Sequence, residues 1–429
     1  MAAPLTPTGG EMAPLDLAEV PAGGPLPGIP HTFRAMRHRN FRLFIIGQIV
    51  SLVGTWMQNV AQSWLVYRLT HSELLLGTAW FCGQIAVFAL GPLGGLAADR
   101  YSRHKVVILT QTLSMLQAFS LAALTLTGRV QVWHILSLAG VLGAINAFDM
   151  PGRQALVIQM TGKDDLINAI SLNSAVFNAA RIVGPGIAGL LVAAVGEGTC
   201  FALNGISFLA VIGCLAAMRL PAFEPKAPVS PWAHVMDGFR YAWHHRDVRR
   251  VLAMMAAATL SGMPALVLMP FFADDIFHRG SRGLGFLMGA MGTGAVIGTL
   301  VLARRTRVSG LARVMVYSGA MTGGAYLAFA FSRHFYFSLA VMPVIGYSVM
   351  QQMASANTTI QTLIPDEYRG RTMALYAMTV VGLGPFGSLA AGALAAKFGP
   401  RAAVAAGGLL ALAAAGTFAL SLRRRPIAG

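Results

Sequence analysis

The sequence predicts an all-α membrane protein: twelve transmembrane helices in two pseudo-symmetric six-helix bundles. Three observations carry this expectation. Of 429 residues, 55% are hydrophobic and 11% charged, against about 25% charged in a soluble globular chain. The charges bound apolar runs long enough to cross ~30 Å of hydrocarbon as helices. Those runs are solidly Leu, Ala, Val and Gly, without the strict alternation that a membrane β-barrel requires. A disordered chain, a disulfide scaffold and an ordinary soluble enzyme are thereby excluded.

Taken in order, spans 1 to 4 lie between Arg42 and Arg68, Glu73 and Asp99, Lys105 and Arg129, and Arg129 and Asp149. Span 5 runs from Asp165 to Glu197, interrupted only by Arg181, and span 6 from Glu197 to Arg219. Spans 7 to 9 lie between Arg250 and Asp274, Arg282 and Arg304, and Arg313 and Arg333; the last three follow His334, Arg371 and Arg401. Residues 1–32 are Pro- and Gly-rich and lack a basic n-region ahead of an apolar core, so they read as a disordered cytoplasmic tail, not a signal peptide. Residues 219–250 form the longest internal gap. Pro221, Pro225, Pro228 and Pro231 cannot continue a helix. Trp232, Val235, Met236, Phe239 and Trp243 then recur at helical spacing, as in an amphipathic helix lying on the membrane surface. The gap divides the chain into an N-terminal bundle (33–218) and a C-terminal bundle (251–422), with a short cytoplasmic tail at 423–429.

The basic residues orient the bundles. With both termini cytoplasmic, 24 of the 32 Lys and Arg residues fall on the inner side, 7 on the outer side, and Arg181 lies within a span. That is the bias expected of cytoplasmic loops in a plasma (inner) membrane. The net charge of +16 is dispersed through these short gaps, which points to anionic lipid head groups and away from nucleic acid. Cys82, Cys200 and Cys214 lie in or beside apolar segments with no metal-ligand spacing, so they read as packing residues and no metal is expected. Gly184-Pro185-Gly186 recurs as Gly384-Pro385-Phe386, and Asp164-Asp165 as Asp366-Glu367, near half the chain length apart. Such an internal repeat is the mark of paired six-helix units.

The loop after span 2 reads Gly95-Leu96-Ala97-Ala98-Asp99-Arg100-Tyr101-Ser102-Arg103-His104-Lys105. Gly95 would let another helix approach closely. Asp99 stands near a helix C-terminus, where the macrodipole disfavours an anion. Compensation is expected from Arg103 or from the N-terminus of another helix. The loop resembles the signature loop of the major facilitator superfamily, Gly-x-Leu-Ala-Asp-Arg-x-Gly-Arg-Lys, and departs from it at Ala97, Ser102 and His104. The opening Phe33-Arg34…Arg39-Asn40-Phe41-Arg42-Leu43, with Gly47-Gln48, Trp56-Met57-Gln58 and Leu69-Thr70, resembles the exporter branch that includes enterobactin exporters and macrolide efflux proteins. The resemblance implies the major facilitator fold. It also implies a gating role for the loop (Gly95, Asp99, Arg100, Arg103, Lys105), in which Asp99 meets the start of span 11 near Arg371 and Thr372 when the cytoplasmic side is closed. The corresponding loop of the second half, Arg304-Arg305-Thr306-Arg307, has no acid.

In span 5, Gly184-Pro185-Gly186-Ile187-Ala188-Gly189 combines a helix-kinking proline with glycines that permit close packing. It resembles in part the span-5 signature of drug:proton antiporters, Gly-Pro-x-x-Gly-Gly. Polar stripes run along span 1 (Ser51, Thr55, Gln58, Gln62) and span 5 (Ser171, Ser174, Asn178, Arg181), and span 10 adds Gln351, Gln352 and Asn357. Lipid penalises such faces, so each points to a substrate cavity or bonds a neighbouring helix. Arg181 is the one charge deep in a span, where an unpaired cation costs at least ~2.5 kcal/mol. It faces water, an anionic substrate group or a carbonyl, or it packs beside the Pro185 kink.

None of the sixteen acids reads as mid-span. Asp149, placed at the inner end of span 4 one turn before Arg153, reads first as a solvated end-of-helix ion pair. It is also a proton-coupling candidate, with Asp274, Asp275 and Glu73 as exposed alternatives. Proton coupling itself follows from the resemblance. No phosphate-binding loop is present, so direct ATP hydrolysis is not expected, and His244-His245 has no acids at ligand spacing. The expectation is a secondary transporter, without enzymatic activity or cofactor, that exports a small amphipathic organic compound, drug or siderophore-like, by proton antiport. An importer of the same fold and a non-transporting scaffold or sensor are the alternatives.

Overall fold

The computed structural model describes residues 31–162, 164–220, 240, 244–304 and 309–425. Apart from residue 240, the surface helix expected at 232–243 lies outside the described residues, as do the degenerate loop at 305–307 and the tail residues 1–30 and 426–429. Every regular element among the described residues is helical: a short 3-10 segment His31–Arg37, then α1 (Arg39–Thr70), α2 (Glu73–Arg100), α3 (Arg103–Leu126), α4 (Val132–Thr161), α5 (Leu166–Ala216), α6 (Arg246–Val267), α7 (Gly280–Ala303), α8 (Leu311–Phe331), α9 (Phe335–Leu363), α10 (Asp366–Gly382), α11 (Gly384–Phe398) and α12 (Pro400–Arg424). Helix α6 begins at Arg246, inside the linker expected at 219–250. A turn at Met269–Phe271 and a single π-turn at Phe272–Ile276 join α6 towards α7.

Local chemistry accounts for the ends. Ser72 caps α2 by accepting from the Leu75 amide, and Glu73 in the first turn favours the helix dipole. Gln131 and His134 form reciprocal bonds that open α4. The 51 residues of α5 are not one rod. Gly196, at φ 79°, breaks it into an arm at 166–195 and an arm at 197–216, a backbone geometry open to glycine without strain. Spans 5 and 6 are these two arms. Span 11 divides at Leu383, where Gly384-Pro385 opens α11 with proline in its first turn. Pro185, by contrast, lies buried within continuous helix.

Among the described residues, ten helices are long and apolar enough to cross a membrane, with α5 counted once and Arg371–Phe398 as one. Helix α9 is not among them, because Gln351, Gln352, Asn357 and its Thr residues lower its hydropathy. Length and apolarity thus account for ten helices and do not by themselves reach the twelve expected from the sequence.

The core shows how the two halves meet. We call the end that holds the start of α1 proximal and the other end distal. One apolar cluster knits both halves at the distal end, with Tyr67, Leu121 and Phe201 from the first and Phe272, Phe329 and Val404 from the second. At the proximal end the core splits. Phe41, Phe44, Leu156 and Leu215 form a cluster within the first half, and Val248, Met254, Ile360 and Phe418 a separate one within the second. Lipid supplies no hydrophobic force between helices, so close approach of small residues must supply the packing. A Cβ on Gly189 of α5 would stand 2.7 Å from the Gly285 Cα of α7, and one on Gly77 of α2 would stand 2.5 Å from the Ser388 carbonyl of α11. Both contacts join the halves in their distal part.

Candidate functional site

Within the first half, α1, α3, α4 and both arms of α5 enclose a cavity of about 490 Å3 in the proximal and middle part of the bundle. Gln58, Asn146, Asp149, Arg153, Asn178 and Asn204 are among its lining residues. A second pocket of about 160 Å3, between α1, α2 and α4, shares Asn59, Leu142 and Asn146 with it and reaches Gln62, Trp80 and Gln84. The polar stripe of α1 thus opens on two adjoining spaces.

Asp149 is where the structure most departs from expectation. Helix α4 continues through Pro151 to Thr161, so Asp149 lies inside the helix, not at its end. It is 4% exposed, not solvated. One carboxylate oxygen accepts from the Thr110 hydroxyl at 2.6 Å and the Gln111 amide at 2.9 Å, both on α3. The other lies 2.5 Å from Arg153 Nε, and Arg153 Nη1 donates to Gln48 Oε1 of α1 at 2.5 Å. A buried charge is tolerated when paired and hydrogen-bonded in this way. The Asp149–Arg153 spacing was visible in the chain; the partners Thr110, Gln111 and Gln48, on other helices, carried no signal.

The other candidates divide between cavity and packing. Gln58 is 1% exposed; its amide donates to Gln117 at 2.9 Å and its oxygen accepts from Asn204 at 2.7 Å. It therefore ties α1 to α3 and α5 at the cavity wall. Asn178 lines the cavity and donates to its own helix at Ser174 O. Arg181 is half-buried, with its guanidinium 6.0 Å from the Trp56 ring centre, a cation–π arrangement. Gln351 belongs elsewhere: it donates to Gly298 O at 3.2 Å and Tyr347 Oη at 3.3 Å, and lines a pocket between α7, α8 and α9 inside the second half. An apolar groove of about 390 Å3, with Leu252, Ala256, Leu375 and Met378 among its lining, joins Phe88 of α2 to α6 and α10.

Of the stretch read as a loop after span 2, only Tyr101 and Ser102 lie between helices: Asp99 and Arg100 end α2 and Lys105 stands in the first turn of α3, all three exposed. Among the described residues Asp99 makes no ion pair or hydrogen bond. Arg103 Nε donates to Ala98 O at 3.3 Å, at the helix end, and the Arg371 guanidinium lies 6.0 Å from the Tyr368 ring centre. A Cβ on Gly95 would meet nothing within 4 Å. The close approach falls one residue earlier, where Gly94 packs on the backbone of Ala147 and Phe148 of α4. In span 5, Gly184 packs on Trp56 and Gly189 on α7.

Two further polar groups mark the ends. At the distal end, Arg68 forms two bonds, 2.7 and 3.2 Å, to Glu197 beside the α5 break. There too Tyr67 Oη lies 2.9 Å from Asp274 and 2.7 Å from Asp275. At the proximal end, buried Asp165 before α5 meets Arg37 Nε at 2.7 Å, His38 Nε2 at 2.8 Å and Arg34 Nε at 3.7 Å. Burial by itself would raise the Asp165 carboxyl; the His38 bond and the Arg37 and Arg34 charges outweigh it and hold the carboxyl below its usual value.

Residues 31–427 match the sequence profile of the family described as transmembrane secretion effector. The chain is 25% identical over 364 residues to a staphyloferrin A transporter of Staphylococcus aureus, covering 83% of this chain and 90% of the relative. It is 26% identical over 370 residues to the multidrug efflux pump Tap of Mycolicibacterium fortuitum (84% and 90%), and 24% identical over 376 residues to the enterobactin exporter EntS of Shigella flexneri (86% and 88%). The fold is similar to that of the nucleoside transporter NupG, with a TM-score of 0.72 and 14% identity over 90% of this chain and 99% of that one. The chain is a membrane transporter of the major facilitator superfamily and belongs to its transmembrane secretion effector family.

Proposed function

We propose that this protein exports a small amphipathic organic compound, drug or siderophore-like, across the inner membrane by alternating access in exchange for protons. The observation that carries the reading is the uneven core. One apolar cluster joins the halves distally, while proximally each half keeps a cluster of its own and the first half holds a cavity lined by amides, Asp149 and Arg153. Counting both arms of α5 and the polar α9 gives twelve crossings, six in each bundle (33–218 and 251–422), and hence both termini on one side. The basic residues make that proximal side cytoplasmic. The resting shape is then inward-facing, and exposed Asp99 is the gate acid waiting for α10 to approach. Staphyloferrin, enterobactin and drugs, named for the relatives, supply the substrate class.

The cavity chemistry suits an amphipathic guest. Its wall in the first half is amide-rich, and the groove towards α6 and α10 is apolar. Gln48 Nε2 and Gln111 Oε1 are buried and without a partner among the described residues, so the Asp149 cluster has hydrogen-bonding capacity in reserve. A proton and a donating group of the substrate compete for the Asp149 carboxylate, which is the competition that exchange requires. Asp149 is therefore the carrier we assign.

The test is efflux of a fluorescent drug and of a catecholate siderophore from cells expressing the protein. Energy-dependent loss that a protonophore abolishes supports antiport. Faster uptake would make the protein an importer, and no flux across a broad panel would make it a scaffold or sensor.

A further inference from the structure

The smaller pocket between α1, α2 and α4 stands apart from the Asp149 cluster. Along α1 the lining of the main cavity runs from Phe44 to Asn59, and that of the pocket continues through Gln62 to Ser63. The pocket is therefore the distal end of one lane. Beyond it stands the apolar cluster that joins the halves, to which Ala79 of the pocket wall belongs and against which Trp80 packs. Close backbone packing sets the spacing of the other two walls, because a Cβ on Gly143 of α4 would overlap the Gly83 carbonyl of α2. Gln84 follows Gly83 by one residue and Asn146 follows Gly143 by three, and both line the pocket.

Four half-buried carboxamides, Asn59, Gln62, Gln84 and Asn146, gather round this space. Amides inside a span ordinarily bond a neighbouring helix, as Gln58, Gln117 and Asn204 do here. These four bond no other group among the described residues, so their hydrogen-bonding capacity is directed at what the pocket holds. Each brings two donors on nitrogen and an acceptor oxygen, and no residue lining the pocket is charged. A carboxylate would leave the acceptors unserved, an ammonium group would leave the donors unserved, and either charge would be poorly paired. A neutral group with both functions engages both, and a carboxamide is such a group. Trp80 adds a flat apolar wall. The volume of about 160 Å3 is close to the ~150 Å3 that accommodates a benzene, so the pocket admits one ring and its substituent, not a whole drug-sized compound.

We infer that this pocket is a binding site for a neutral aryl carboxamide. Its ring lies against Trp80 and its amide is held by Asn59, Gln62, Gln84 and Asn146. On the export reading, on which this step rests, the pocket seats the amide-bearing ring of the exported compound while the main cavity holds the remainder.

The test photolyses 4-azidobenzamide with the full chain in liposomes and maps the adducts by peptide mass spectrometry. Adducts are expected within 59–63, 80–87 and 142–146. Unlabelled benzamide should compete. Benzoate and toluene match its shape but bring a charge or remove the polar group, so each should need at least about tenfold more to compete, because pocket groups are left unpaired. Q84L and N146L exchange an amide for an apolar side chain of similar size, and each should cut labelling several-fold. G83A adds a Cβ that would meet only the Ala139 carbonyl, at 3.7 Å; it spares the helix packing, narrows the pocket and should also cut labelling. Adducts confined to other segments would overturn the inference, as would benzoate or toluene competing as well as benzamide. Labelling needs no transport. Pocket adducts in a protein that moves no substrate would therefore sink export and leave the site standing, whereas efflux without pocket adducts would sink the site alone.

Discussion

Arg153 lies one helical turn beyond Asp149 on α4, and its Nε stands 2.5 Å from Asp149 Oδ2. Asp149 is buried and Arg153 half-buried, and both line the cavity. Removing one member of a buried pair costs about 3–5 kcal/mol, mostly by stranding the other charge. A substrate able to engage either member therefore has leverage over the helices that hold it.

Asp149→Asn should uncouple transport from the proton gradient. Gradient-driven efflux should fall at least about tenfold, the equivalent of ~1.4 kcal/mol, while substrate counterflow without a gradient persists. Vesicles with an imposed pH difference, assayed in parallel for counterflow, make the comparison. Equal loss of both would show that Asp149 is structural.

Asp99→Asn should impair transport more than membrane protein level, because the Asp99 side chain is exposed and makes no bond among the described residues. Efflux rate normalised to the amount of protein in the membrane is the readout.

Gly189→Val should disfavour the shut distal mouth. Its side chain would enter space held by Ser281 O at 2.6 Å and Gly285 Cα at 2.7 Å, and overpacking of this kind costs about 1–3 kcal/mol. Alkylation of a cysteine placed at Gln62 by an external thiol reagent should rise several-fold.

Asp165→Asn should lower the melting temperature at neutral pH and flatten its acid limb. The folded-state carboxyl lies below its unfolded value. Its stabilisation is therefore complete above the unfolded value, ~3.9, and is lost as pH falls through the folded one. Thermal unfolding in detergent between pH 3 and pH 7, wild type against variant, checks the sign.

Arg181→Ala should change substrate preference. The guanidinium offers a cation and lies over Trp56, so anionic substrates should lose more than neutral ones. Unchanged kinetics across a panel of both would assign Arg181 to packing.

Composition and spacing alone determined that this chain is a helical membrane protein whose charges, Arg181 apart, read as marking the ends of its spans. Lipid enforces that pattern residue by residue, so it is legible without a fold. The loop around Asp99 and the Gly184-Pro185 motif were legible for the same reason: each is a local run. Tertiary structure decided what those runs meet. Asp149 read as an end-of-helix ion because charges usually stop spans, yet Thr110 and Gln111 of α3 bond it within the bundle, beside an Arg153 that Gln48 of α1 holds. Gln351 read as a cavity residue on a polar stripe, but the Gly298 carbonyl across α7 claims it. Nothing in the sequence set Tyr67 apart; the second bundle brings Asp274 and Asp275 to its hydroxyl. Periodicity states which face a residue occupies; only the packing of distant helices states whether that face finds lipid, a partner or a cavity.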